Sequence, residues 1–316
     1  MALACGLDLG GTKLLGVVID TEKPGPPLLE EKVPTPRGAD AIVDAIADLA
    51  HRLCSRAAGD VTSVGLGAPG LVDRSGTLRY GPNLPGVIDL SLASVLQERV
   101  GLPAAVDNDA TAAAWGEHEW GAARGHDHSM TVSLGTGIGA GFTVKGEVLR
   151  GANGFAGEPG HMIVDPNGPL CPCGRRGCWE RYASGSGLGF LAREAAHAGL
   201  APAVLARAGG EAEDVRGEHV TAAARDGDRA ALDVISRFAW WVALGLANLV
   251  NILDSDAIVI AGGLAEAGDL LLEPVQHAYQ GLVLAAAHRP DVPVYIAQLG
   301  ERAAAIGAGL LAAQRT

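Results

Sequence analysis

The chain has 316 residues, 48% hydrophobic and 19% charged, which excludes a disordered segment and is long for a single core, so two α/β lobes are expected. A formal net charge of −12 argues against nucleic acid and anionic membrane as partners, because both repel an acidic surface. Five cysteines, three of them crowded between Cys171 and Cys178, do not read as a secreted disulfide framework; with no basic-then-apolar leader in residues 1–10, the expected setting is the reducing cytoplasm.

Residues 3–9 and 14–19 are apolar runs on either side of Gly10-Gly11-Thr12-Lys13, which predicts a β-hairpin with a glycine turn at its tip. Helical spacing covers 41–57, a strand follows at 61–66 and ends in Gly67-Ala68-Pro69-Gly70, and 91–100 reads as a short helix. A strand at 104–106 gives way to Asp107-Asn108-Asp109, placed to cap a helix over 111–120. A second strand, glycine turn and strand occupy 130–134, 135–137 and 138–144; at an offset of 125 residues Leu9, Gly10 and Gly16 fall on Leu134, Gly135 and Gly141. The expectation is therefore two related lobes, each opening with a hairpin suited to phosphates. Residues 151–183 are rich in loop formers, 188–250 are mostly helical, 257–261 reads as a buried strand, and 303–313 as a terminal helix. The apolar stretch Phe238 to Val250, with Trp240 and Trp241, runs straight into Asn251 and Asp254. It is too short and interrupted to span a bilayer and is expected in the core, with a subunit interface as the alternative.

In Asp8-Leu9-Gly10-Gly11-Thr12-Lys13, glycines let backbone amides approach an anion, Thr12 adds a hydroxyl, and Lys13 a charge. Asp8 is placed to hold Mg²⁺ directly or through water. Gly135-Thr136-Gly137 reads as a second phosphate loop; strand rather than helix follows it, so it is not a dinucleotide fingerprint. At a helix start, Asp109 suits a general base that takes the proton of an attacking hydroxyl, although Asp107 competes for that role. His161 with Cys171, Cys173 and Cys178, spaced H-x9-C-x-C-x4-C, forms a closed Cys₃His set for a structural Zn²⁺. Glu158 and Glu180 flank this set as acceptors for hydroxyls, and His161 can serve both with its two ring nitrogens.

Taken together, DLGGTK from Asp8, GLGAPG from Gly65, GPNLPG from Gly81, DNDATAAAWGE from Asp107, SLGTGIGAG from Ser133, GEPGH around Glu158, CPCGRRGCWERYASG from Cys171 and IAGGL from Ile260 resemble the ROK family of bacterial sugar kinases and repressors over nearly the whole chain. The resemblance implies a two-lobed actin/hexokinase-like fold of ribonuclease-H type with the sugar in the interlobe cleft. It implies a small lobe at 1–108, joined by a C-terminal helix at 301–316, and a large lobe at 109–300. By position, Asp109 is the implied catalytic base. Asn83, Asn108, Asp109, Glu158, His161 and Glu180 are the implied sugar ligands. Asp8, Gly10, Gly11, Thr12, Lys13, Gly135, Thr136 and Gly137 form the implied ATP–Mg²⁺ phosphate site, and Gly262 and Gly263 touch its adenosine half. The implied reaction is glucose to glucose 6-phosphate, by a homodimer or homotetramer. Kinases for fructose, mannose, N-acetylglucosamine or N-acetylmannosamine, and use of polyphosphate as donor, are the enzyme alternatives. A sugar-sensing repressor is the remaining one, disfavoured because the hairpin begins by residue 3 and the chain is acidic. Pro159, Thr111 and Val87 depart from the family pattern, Pro159 at a position where it can shift Glu158.

Overall fold

A computed structural model describes residues 2–81, 84 and 87–315. In chain order come β1 (Leu3–Leu9), β2 (Lys13–Asp20), β3 (Leu29–Pro34), α1 (Ala39–Arg56), β4 (Val61–Ala68), β5 (Leu71–Val72), β6 (Leu78–Tyr80), β7 (Ile88–Leu90), α2 (Leu92–Val100), β8 (Ala104–Asn108) and α3 (Asp109–Trp120). There follow β9 (Ser129–Leu134), β10 (Ile138–Val144), β11 (Glu147–Val148), α4 (Glu180–Ala183), α5 (Gly185–His197), α6 (Pro202–Arg207), α7 (Gly217–Arg225), α8 (Arg229–Leu253), β12 (Ala257–Ala261), α9 (Asp269–Leu282), β13 (Val294–Ile296) and α10 (Ala303–Ala313). The predicted strands and helices are present within a few residues of their expected ends. The edge strand β3, the small β5-β6-β7 sheet, α9 and β13 carry no expectation from the sequence. They are short, exposed or mixed in pattern, where periodicity gives little signal.

Two five-stranded sheets have the orders β3-β2-β1-β4-β8 and β11-β10-β9-β12-β13. Ranked along the chain, both orders read third, second, first, fourth, fifth, so the internal relationship expected from the two glycine hairpins extends to whole sheets. In the first sheet β1 runs antiparallel to β2 and parallel to β4, and β4 runs parallel to β8.

The chain divides into two compact units, one of residues 1–131, 141–157 and 297–316, the other of 132–140 and 158–296. This division departs from a boundary at residue 108: α3 follows β8 without a break and packs on α10, which keeps it with the first unit. In that unit β1 alternates with period two. Leu3, Cys5, Leu7 and Leu9 join a core with Ile42, Ile46, Leu49 and Leu53 of α1, while Ala4 joins Ala112, Trp115, Ala305 and Ile306 on the opposite face. Helix α10 lies against β1, β4 and α3 at backbone distance. A Cβ on Gly6 would come within 1.9 Å of the Ala305 carbonyl oxygen, one on Gly65 within 1.8 Å of that of Ala308, and one on Gly307 within 1.7 Å of that of Ala112. Buried Glu117 ties α3 to the segment before α10, its carboxylate accepting from the backbone N–H groups of Ala122, Gln298 and Leu299 at 2.8, 3.1 and 2.8 Å.

In the second unit α8 is longer than the apolar stretch read from the sequence, with 25 residues. By length and composition it could cross a membrane. Its apolar face is instead internal to the unit: Val234, Phe238, Val242, Leu246 and Val250 are buried, with α4, α5, α7 and α9 packed around it. Trp240 stays 42% exposed.

Candidate active site and metal centre

In the first unit the hairpin tip is closed by Gly10, whose N–H donates to the Lys13 carbonyl at 2.9 Å. The Thr35 hydroxyl donates to the Gly10 carbonyl at 2.7 Å, and the Thr35 N–H to that of Thr12 at 3.1 Å. Carbonyl groups are thus drawn back into the sheet, while Gly11, Thr12 and Lys13 are exposed. Asp8, at the end of β1, is partly buried and its carboxyl is pushed up to about 7, first by burial and then by the charge of Asp109. A carboxylate pair short of positive charge fits a divalent cation.

Asn108 caps α3, its Oδ1 accepting from the Thr111 N–H at 3.0 Å, while its amide donates to the Gly70 carbonyl at 3.1 Å. The helix therefore starts two residues earlier than expected, at Asp109. Asp109 is raised above the ordinary carboxylate range by burial, against the pull of the Ala110 N–H, which donates to it at 2.8 Å. Asp107, the competing candidate, is otherwise engaged: Arg150 Nε donates to its Oδ2 at 2.6 Å and Arg315 Nη2 lies 3.8 Å away. Asn83 lies outside the described residues.

In the second unit the Gly135 N–H donates to the Gly137 carbonyl at 3.0 Å, the counterpart of the Gly10 closure. The Gly135 carbonyl accepts from the Gly185 N–H at 2.8 Å, and that of Thr136 from the Ser186 hydroxyl at 3.0 Å. The start of α5, capped by Ser184 accepting from Gly187, is thereby bound to the loop. Such a helix start favours anions. Gly262 has φ +84, and a Cβ there would meet the Leu134 carbonyl oxygen at 2.6 Å, so only glycine fits. Gly263 lines a cleft of about 440 Å³ with Gly185, Arg216, Thr221, Arg225 and Glu266. The sequence carries no signal for those four polar residues: nothing in the pattern of α7 separates a lining helix from a packing one, and Glu266 lies in a short turn after β12.

The Cys₃His set comes together in the same unit: ligand atoms of His161, Cys171, Cys173 and Cys178 all lie within 4.8 Å of one another. The Cys173 and Cys178 sulfurs are 3.5 Å apart, and Cys171 Sγ is 3.9 Å from His161 Nδ1. Tetrahedral zinc with Zn–S bonds of ~2.3 Å would need S···S edges of roughly 3.8 Å, so set and spacing both fit. The knuckle turns at Gly174 and Gly177, both at positive φ, and a Cβ on Gly177 would overlap the Asp165 carbonyl oxygen at 1.5 Å. Trp179 anchors it: fully buried, it donates to the Trp241 carbonyl at 2.7 Å and fills the notch left by Gly245 on α8. Burial and then Glu180 push the Cys171 thiol up, and that thiol donates to Glu180 Oε1 at 3.0 Å.

Glu180 faces three ways at once. Its Oε1 is 3.8 Å from His161 Nδ1, and its Oε2 would stand 2.7 Å from a Cβ on Gly137. Glu158 Oε2 stands 3.9 Å from His161 Nε2. Pro159 opens a single 3-10 turn, Pro159–His161, the position at which proline's fixed φ and missing N–H cost nothing. Gly160 is pressed on the Ile138 carbonyl, 2.5 Å from where its Cβ would stand.

A family model, described as ROK family, matches residues 4–315. A glucokinase of Streptomyces coelicolor is 40% identical over 315 residues, 99% of this chain and 98% of that one. Among solved structures, a ROK family glucokinase from Streptomyces griseus in complex with glucose and AMPPNP is 40% identical, with a TM-score of 0.85 over 99% of this chain and all of the other. A ROK hexokinase from Thermus thermophilus is 36% identical, with a TM-score of 0.79 over 99% and 98%. On the motifs, the repeated sheet order and these full-length matches, the chain belongs to the ROK family.

Proposed function

We propose that this protein is an ATP-dependent glucokinase that phosphorylates glucose on its 6-hydroxyl. The observation that carries this reading is the full-length similarity, at 40% identity, to a ROK glucokinase solved with glucose and a nucleotide. The side chains described above supply the chemistry it needs. Gly11, Thr12 and Lys13 on one hairpin, and Gly135 to Gly137 on the other, with the start of α5 bound to it, bind the phosphates through N–H, hydroxyl and ammonium groups. Gly263 lines the cleft that takes the nucleoside, and Gly262 precedes it in the turn after β12. Asn108, Glu158, His161 and Glu180, with Asn83, bind and orient the sugar hydroxyls. Asp109 accepts the 6-hydroxyl proton as that oxygen attacks the γ-phosphorus in line; the bond to the bridging oxygen breaks and ADP leaves. Asp8 would hold Mg²⁺, which when bound neutralises the phosphate charge. His161, Cys171, Cys173 and Cys178 would hold Zn²⁺, which when bound orders the knuckle carrying Glu180. We place the enzyme in the cytoplasm as a homodimer or homotetramer, on the habit of the family.

A coupled assay over glucose, fructose, mannose, N-acetylglucosamine and N-acetylmannosamine, each with ATP and with polyphosphate, tests the reading. Glucose with ATP is expected to give the highest kcat/KM, and a different preferred pair would replace it. Asp109→Asn is expected to lose about 10²–10⁴ in kcat, the usual worth of a positioned base, while melting like the wild type. Turnover within tenfold of wild type would remove Asp109 from the base role.

A further inference from the structure

Asp107, Arg150 and Arg315 have no part in the roles given so far, yet they form one ionic cluster around the buried Asp107, two residues before Asp109, with Arg150 partly buried and Arg315 exposed. Asp8, Gly67 and Asp107 lie in register across the parallel strands β1, β4 and β8, so their side chains leave the same face of the sheet. That face carries α3 and α10. A Cβ on Gly67 would meet the Asp109 Cα at 3.3 Å, and Asp107 is bordered by Ala308, Leu311 and Arg315 of the C-terminal segment. Three carboxylates therefore share one small surface, and among the described residues Asp107 is the one paired with cations. Its Oδ1 accepts from the Asn108 N–H at 3.1 Å and its Oδ2 from Arg150 Nε at 2.6 Å, with Arg315 at 3.8 Å. The side chain of Asp107 is 9% exposed and that of Arg150 22%. Arg150 is itself held in place. Its carbonyl accepts from the Ala156 N–H at 3.2 Å, and Arg74 donates to the next carbonyl, Gly151, at 3.0 and 2.6 Å.

No residue separates β8 from α3, so whatever fixes Asp107 also fixes the peptide units of Asn108 and Asp109. We propose that Arg150 and Arg315 are positioning residues for the phosphoryl transfer, clamping Asp107 so that the strand-to-helix junction presents Asp109 in one orientation. This rests on the reading of Asp109 as the base. The clamp acts on the geometry of proton transfer and not on substrate affinity, so its loss lowers kcat and leaves KM alone. A displacement of about 1 Å at a reacting group costs up to ~100-fold.

The test is steady-state kinetics of the full chain with glucose and MgATP for Arg150→Met, Arg150→Lys and Arg315→Met, beside Asp109→Asn. Arg150→Met is expected to lose about tenfold to a hundredfold in kcat, with both KM values within about twofold of wild type. Arg150→Lys, which keeps the charge, is expected to recover most of that loss. Arg315→Met, removing a partner beyond hydrogen-bond distance, is expected to lose about threefold. Wild-type kcat in Arg150→Met, a rise in KM in place of the fall in kcat, or no recovery with lysine overturns the clamp. Should Arg150→Met not fold, wild-type kcat in Arg315→Met overturns it equally. Wild-type turnover in Asp109→Asn would remove the base and the clamp together, whereas wild-type turnover confined to Arg150→Met and Arg315→Met sinks the clamp alone.

Discussion

Asp8 is asked to bind a cation at a place that is uncomfortable for a carboxylate when no cation is there. Its carboxyl sits at about 7 against an ordinary 3.8, driven by burial and by Asp109. The folded state therefore holds more protons than the unfolded one between about pH 4 and pH 7. Stability from this group is complete below pH 4 and is lost as pH rises through 7. The displacement is about three units at ~1.4 kcal/mol each, a ceiling of about 4 kcal/mol; because Asp8 keeps some contact with solvent, about 1–2 kcal/mol is the expected cost of its charge at pH 8. Asp8→Asn removes that charge. In buffer free of magnesium and nucleotide the variant is expected to melt about 2–4 °C above wild type at pH 8, with the difference fading as pH falls towards 4. Kinase activity is expected to drop by at least about a hundredfold in the same variant, since the residue that would hold magnesium is gone. Thermal melts followed by circular dichroism across this pH range provide the readout. Equal melting at pH 8, or a gain that does not change with pH, would refute the account of a strained carboxylate.

Three further outcomes are expected. The acidic limb of kcat/KM against pH should lie above pH 4, because burial raises Asp109 and only its ionised form accepts a proton; a limb at the ordinary aspartate value contradicts this. Gly65→Ala should cost at least about 3 kcal/mol, the upper end for overpacking, since its Cβ would meet the unyielding Ala308 carbonyl at 1.8 Å; urea unfolding indistinguishable from wild type tells against that contact. Protein purified without added metal should carry about one zinc per chain, and Cys178→Ser should lower it and the melting temperature together; a folded, active sample free of zinc by elemental analysis removes the metal from the knuckle.

Much of the site was legible in the sequence because its parts are local. A glycine turn, a capped helix start and a C-x-C-x4-C loop each carry their geometry within a dozen residues, and the repeat of the first hairpin in the second announced the duplicated sheet. What stayed hidden depends on partners distant along the chain. Arg150 reads as a surface residue in a loop until Asp107 is found opposite it. Glu117 reads as a polar residue on a helix of small side chains, yet it is buried and receives three N–H groups, two from residues 181 and 182 positions away. Arg216 and Arg225 line a cleft only because the turn after β12 approaches α7. No property of the residues themselves marks where the chain crosses between its two units, because the crossings fall inside strands and beside loops of ordinary composition.

The contact of α10 with glycines on β1, β4 and α3 reaches beyond packing. Helix α10 supplies one wall of a core whose other walls come from β1, β2 and α3, far earlier in the chain. Ala4, Val17, Ile19 and Trp115 share that core with it, so a variant cut before Ala303 should leave an apolar face uncovered and become a client for chaperones that bind such surface.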